Sequence, residues 1–186
     1  AATIRDANAD VVVLNEVDFA AVWSGHVDQA ATIARLAGYP YLVTQRNYDI
    51  AIPFVAVRFG NAILSRHRVI EAERIDLPPR SRLEDWLAGN HDALRVRIET
   101  DAFGAIDVIG VHLEVRDEGT RRGAAHTLNT IVGTSSTPTI IAGDFNSYPS
   151  DTFVTANAID LFYETNLFDT TPPFDAGVPT LPKKPK

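Results

Sequence analysis

The run Thr139-Ile140-Ile141-Ala142 is apolar, largely β-branched, preceded by Pro138 and stopped by Gly143. A run with no polar alternation reads as a short strand covered on both faces, so it commits the chain to burying a sheet. Gly143 permits a sharp bend at the strand end. Asp144-Phe145-Asn146 then stand at a rim where ligands bind in open α/β sheets. Taken alone, Asp144, Asn146, Ser147 and Pro149 suit a polar turn equally well.

Three further segments carry chemistry at strand ends. In Val11-Val12-Val13-Leu14-Asn15-Glu16 the apolar run again lacks alternation, and Glu16 follows it. A carboxylate there is either a solvated rim residue or a hard oxygen ligand for a cation such as Mg²⁺. Ile106-Asp107-Val108-Ile109-Gly110-Val111-His112 ends in a histidine, which fits a packed core residue or a group that contacts phosphate oxygens and passes a proton. Gly60-Asn61-Ala62-Ile63-Leu64-Ser65-Arg66 is a short apolar strand; Asn61 either touches substrate or closes the preceding loop.

Taken in order, Leu14-Asn15-Glu16-Val17, Gly60 to Arg66, Val111-His112-Leu113 and Gly143-Asp144-Phe145-Asn146 resemble the endonuclease/exonuclease/phosphatase superfamily, the deoxyribonuclease-like metal-dependent phosphoesterases. The resemblance runs from about Ile4 to Pro182. It implies that Glu16 ligates a divalent metal, Mg²⁺ or Mn²⁺. It implies that His112 contacts the scissile phosphate, that Asp144 positions the attacking water, and that Asn146 orients Asp144 or holds a phosphate oxygen. Asn61 and Arg122 become candidate substrate contacts. It also implies an α+β fold, a four-layer α/β/β/α sandwich of two packed mixed sheets flanked by helices. A phosphodiester is anionic, so offsetting charge on its oxygens is what such a site must do.

The chain departs from that pattern at both ends. The family's opening strand, which ends in a catalytic Asn, and its closing Ser-Asp-His motif have no counterpart here. His91-Asp92 has the reversed order, and Pro179-Thr180-Leu181-Pro182 resembles the stretch before the closing motif. The chain therefore reads as a single domain over residues 1–182, incomplete at both ends, with a basic tail at 183–186. Its sheet edges should need a missing segment or a second chain to cover them. Met is 0 in 186 residues, a compositional oddity, and Ala1 is no natural start.

With 45% hydrophobic and 22% charged residues the chain can build a sizeable core. Cys is 0, which excludes disulfides, thiolate metal sites and cysteine nucleophiles. No apolar run approaches the roughly 20 residues that span a bilayer. The net charge of -7 disfavours a broad nucleic-acid footprint, although local basic groups exist. These are Arg80 and Arg82, Arg95 and Arg97, and Arg116, Arg121 and Arg122.

The pattern predicts helices over Thr3 to Ala9, Val27 to Ala37, from Thr120 as cap to about Val132, and over Asp151 to Ala158. Strands are expected at Ile63 to Leu64, Val69 to Ile75, Leu94 to Ile98 and Ile106 to Leu113. The loop with Asp169, Pro172 and Pro173 follows the last helix. Tyr39 to Phe59 reads as a loop in which Tyr48 and Phe54 anchor the chain, stack on a base or line a lipid-headgroup pocket. Trp86 reads as a lid residue or part of a surface helix. The expected activity is metal-dependent hydrolysis of a phosphoester, more a diester than a monoester. The alternatives are a nuclease acting on DNA or RNA, and a non-catalytic binding domain of the same fold.

Overall fold

The computed structural model describes residues 1–52, 55–79, 81, 92–148 and 157–165. Of residues 50–52, 55 and 56 only the backbone is described. Phe54, Arg80, Arg82, Trp86, His91, most of the helix expected at Asp151 to Ala158, the proline loop, Pro179 to Pro182 and the basic tail lie outside the described residues.

Among the described residues seven strands form two sheets. Strands β1 (Val11–Asp18), β2 (Tyr41–Ile52) and β3 (Val55–Ser65) make an antiparallel sheet in the order β1-β3-β2. Strands β4 (Arg68–Ile75), β5 (Ala93–Thr100), β6 (Gly104–His112) and β7 (Thr139–Asp144) make the other in chain order, with β6 and β7 parallel. Helices α1 (Ala2–Ala7) and α2 (Gln29–Ala37) cover the first sheet. Helices α3 (Glu118–Thr134) and α4 (Ala158–Glu164) cover the second. Ile63, Leu94, Val96, Ile98 and Val108 fill the space between the sheets, with Val11 and Val13 packed against them. The expected four layers of α, β, β and α are therefore present.

Local chemistry explains the boundaries. α2 starts where the Asp28 carboxylate accepts from the Ala31 N–H at 2.9 Å. Val27, expected inside that helix, stays in the preceding turn. α3 begins three residues earlier than expected, because Asp117 rather than Thr120 is the cap. Asp117 Oδ2 accepts from both the backbone N–H and the hydroxyl of Thr120, at 2.6 and 2.7 Å. α4 was not expected, and is held by reciprocal bonds between Asn157 and Asp160 at its start.

The largest correction concerns Tyr39 to Phe59. It is no loop, because β2 and β3 pair antiparallel from Tyr41↔Ser65 to Ile52↔Val55. Ile63 to Leu64 is only the end of a longer strand. The hairpin was hidden because its polar residues sit where one face meets water. Arg46, Asp49 and Arg58 cluster there, with Arg46 Nη1 and Arg58 Nε donating to Asp49 at 2.7 and 2.8 Å. Asn61 consequently lies inside β3 and closes no loop. Gly60 allows a close approach in the same hairpin, since a Cβ there would lie 2.0 Å from the Gln45 carbonyl oxygen.

Candidate active site

The C-terminal ends of β1, β6 and β7 meet at one end of the sandwich. In β6 the residues alternate, so Ile109 and Val111 pack toward the helices while Val108 packs toward the first sheet. His112 shares the Val108 face and so points toward β1. β7 pairs parallel with β6 in a register that sets His112 beside Asp144. Across the gap, His112 Nε2 lies 3.8 Å from Glu16 Oε1. The structure thus brings together Glu16, His112 and Asp144 from segments far apart in the chain.

Backbone bends aim these groups. Pairing between β1 and β3 slips between Leu14 and Val17, so Asn15 and Glu16 form a bulge opposite Asn61. Glu16 takes φ 55, a left-handed conformation uncommon for a non-glycine residue and typical of functional sites. Asn15 pins the bulge to the other sheet, its Nδ2 donating to the Val111 carbonyl at 3.0 Å. Gly143 has φ 140, and a Cβ there would lie 2.0 Å from the Val111 carbonyl oxygen. Asn146 has φ 48, which its short carboxamide tolerates. Its Nδ2 donates to the Leu113 carbonyl and its backbone N–H to Asp144 Oδ1, both at 2.9 Å. The Asp144 carboxylate is therefore fixed through one oxygen.

A brace lies behind the turn. Arg121, 8% exposed, donates to Glu118 Oε2 and to the Glu114 carbonyl. Glu118 Oε1 accepts from the Ser147 hydroxyl at 3.0 Å and the Ala158 N–H at 2.5 Å, tying the turn after Asp144 to α3 and α4. Burial pushes the Glu118 carboxyl up, but the Ala158 N–H, Arg121 and Ser147 outweigh it and hold the group below its ordinary range. The sequence reading missed Glu118 and Ser147. Only Glu118-Gly119-Thr120-Arg121, with acid and base three apart on a helix, hinted at them.

Among the described residues the other two candidates, Asn61 and Arg122, make no hydrogen bond or ion pair with Glu16, His112 or Asp144. Asn61 is 1% exposed, and neither end of its amide has a partner among the described residues. Arg122 is half-buried on α3, with a buried Nε that has no partner among the described residues. An open groove of about 1160 Å³ runs along the unpaired edges of β1 and β7. Val11, Val12, Val13, Asn15, Asp144 and Asn146 line it, while Glu16 and His112 lie outside its lining.

Among the described residues no three His, Cys, Asp or Glu side chains form a preformed metal cage. The donors nevertheless fit a hydrated Mg²⁺ or Mn²⁺, which takes only one or two carboxylates and keeps several waters. Among the described residues Glu16 is exposed and meets no Lys or Arg, and it adjoins Asn15, whose buried Oδ1 has no partner there. No described helix is long and apolar enough to cross a membrane.

Comparison with known proteins agrees with this fold. The family model described as Endonuclease/Exonuclease/phosphatase family matches residues 1–182. No curated protein sequence matches. Among solved structures, an endonuclease/exonuclease/phosphatase from Beutenbergia cavernae DSM 12333 superposes with TM-score 0.64 at 22% identity, over 86% of this chain and 45% of that one. The human Nocturnin catalytic domain with bound sulfate gives TM-score 0.59 at 19% identity, over 88% and 59%. Beta toxin from Staphylococcus aureus gives 0.60 at 18% identity, over 88% and 60%. The chain thus spans about half of each of these structures.

Proposed function

The chain belongs to the endonuclease/exonuclease/phosphatase family, and from that premise we propose that it contributes the active site of a divalent-metal-dependent phosphodiester hydrolase. The observation that carries this reading is the meeting of Glu16, His112 and Asp144 at one rim. Asp144 Oδ1 is occupied by the Asn146 N–H, and Oδ2 accepts no bond among the described residues. A carboxylate held in this way orients a water molecule and accepts its proton as the water attacks phosphorus. His112, 12% exposed at its side chain, faces the same space and holds a non-bridging oxygen. Asn146 keeps Asp144 in place. Glu16 would hold the Mg²⁺ or Mn²⁺, which when bound supplies Lewis-acid stabilisation of charge on the phosphoryl oxygens.

Hydrolysis of bis(p-nitrophenyl) phosphate with Mg²⁺ or Mn²⁺, abolished by chelator, tests the proposal. Asp144→Asn should lower kcat by about 10²- to 10⁴-fold, the contribution typical of a positioned acid or base. Unaltered turnover would remove Asp144 from the chemistry. No metal-dependent turnover by the protein would favour a binding domain of the same fold.

A further inference from the structure

We infer that Asn15, Gln45 and Asn61 form a buried amide site for ordered water beneath His112, and that Asn61 is a positioning residue acting through this water on the imidazole. The inference rests on the phosphodiester hydrolase reading and adds what steadies His112 from the interior.

The three carboxamides lie side by side across the first sheet. Asn61 of β3 pairs with Gln45 of β2, and the bulge at Asn15 and Glu16 of β1 stands on its other side. All three point toward the second sheet. Asn61 is two residues from Ile63, which packs between the sheets, and shares its face. Asn15 Nδ2 donates to the Val111 carbonyl, and Gln45 Nε2 donates to the carbonyl of Asp92, just before β5, each at 3.0 Å. These bonds use the NH2 groups of the outer pair. Asn15 Oδ1 and Gln45 Oε1 are buried without partners among the described residues, and so are both ends of the Asn61 amide. Gln45 is 7% exposed and Asn61 1%.

His112 comes over this layer from the second sheet. A Cβ at Gly110 would stand 3.1 Å from Val13 Cγ1 and 3.2 Å from Ile63 Cδ1, so position 110 lies over the Val13↔Ile63 pair. From there β6 runs on in the direction of β1, since Val111 meets Asn15 and His112 meets Glu16. Position 112, on the same face as position 110, therefore lies over Asn15 and Asn61. Most of the His112 side chain is buried.

Unbonded oxygens outnumber unbonded NH2 groups in this layer, so whatever sits there must donate. Water donates two hydrogen bonds, and a buried water typically makes about three bonds to such groups. Dry amides would cost the fold their full desolvation. A bridging water is enthalpically close to a direct hydrogen bond. The bond made by one ring nitrogen of a histidine fixes which nitrogen carries the proton.

High-resolution crystallography of the protein should find water within hydrogen-bond distance of the Asn61 amide and bridged to the imidazole. A dry contact there overturns the inference, and this readout needs no variant. By NMR at about pH 9, where the ring is neutral, the His112 nitrogens should report one tautomer. Asn61→Leu, close to asparagine in shape but without hydrogen bonds, should give a mixture; His112→Gln assigns the signal. On bis(p-nitrophenyl) phosphate with Mg²⁺, Asn61→Leu should lower kcat about 10- to 100-fold with KM little changed, the loss typical of an outer partner of a site histidine. Asn61→Ser, which keeps a hydroxyl and leaves room for water, should recover part of it. An unchanged tautomer or an unchanged kcat in Asn61→Leu overturns the inference. A Tm that is higher in NaCl than in choline chloride at equal ionic strength also overturns it, and gives the oxygens to a cation. Water and a fixed tautomer without hydrolysis condemn the proposed function, whereas hydrolysis indifferent to position 61 condemns the amide site.

Discussion

Gly143→Ala places a methyl group where the chain has no room for one. The new Cβ would lie 2.0 Å from the Val111 carbonyl oxygen, 2.9 Å from its carbon and 3.0 Å from the Val111 nitrogen. Non-bonded atoms settle near ~3.5 Å, so the end of β7 must retreat by about 1.5 Å. That retreat breaks the last pairings with β6, Val111↔Gly143 and His112↔Asp144. It also strains the bond from the Leu113 N–H to the Asp144 carbonyl, now 2.9 Å. Lost ladder bonds cost about 1 kcal/mol each. Forcing an L-residue to φ 140 adds about 1–3 kcal/mol. The expected destabilisation is about 3–5 kcal/mol, a fall in Tm of roughly 6–20 °C for a chain of this size. Urea unfolding followed by circular dichroism measures the first, and a thermal scan the second. At temperatures where the variant remains folded, kcat should fall by about 10²-fold, because Asp144 is displaced by more than 1 Å. A variant with its melting midpoint within about 2 °C of the parent would refute the reasoning about this strand end.

Gly123→Ala is the contrasting case, because its Cβ would meet Pro78 at ordinary contact, 3.4 Å, inside α3. It should stabilise by about 0.5–1 kcal/mol in urea unfolding, the helix-interior cost of glycine. Glu118→Ala strips the acceptor from the Ala158 N–H, the Ser147 hydroxyl and Arg121 and should cost about 2–4 kcal/mol by the same assay. Because the folded Glu118 carboxyl titrates below its ordinary 4.5, its contribution is full above that pH and disappears as pH falls through the lower, folded value. Glu118→Gln should therefore flatten the dependence of stability on pH below about 4.5. Asp107, 1% exposed, accepts from Arg97 at 2.8 and 3.0 Å, and Asp107→Ala should cost about 2–4 kcal/mol, with Arg97's access to water lowering the figure.

The rim residues were legible because both cores force apolar runs on β1, β6 and β7, and the first polar residue after each run marks an end. Glu16, His112 and Asp144 were read in that way. The hairpin of β2 and β3 was not, because Thr44, Arg46, Asp49 and Arg58 reach solvent and interrupt the pattern. The start of α3 was misplaced because Asp117 and Thr120 are both good caps, and only geometry shows that Asp117 takes both bonds of Thr120. The left-handed turn at Glu16 carries no sequence signal, since nothing about a glutamate announces positive φ. Asn61 was read as touching substrate or closing the preceding loop, because its near-total burial depends on a neighbouring strand that had been taken for a loop.

Gly110 has no side chain where β6 passes the first sheet, and a methyl there would stand 3.1 Å from Val13 Cγ1 and 3.2 Å from Ile63 Cδ1. The two sheets therefore touch at a bare backbone, two residues before His112. Their separation at that spot sets how far the imidazole stands from the carboxylate facing it on β1. Interior bulk and rim chemistry are thus geared together: a selection for altered turnover should recover substitutions at positions 13, 63 and 110, which pack where the two sheets touch.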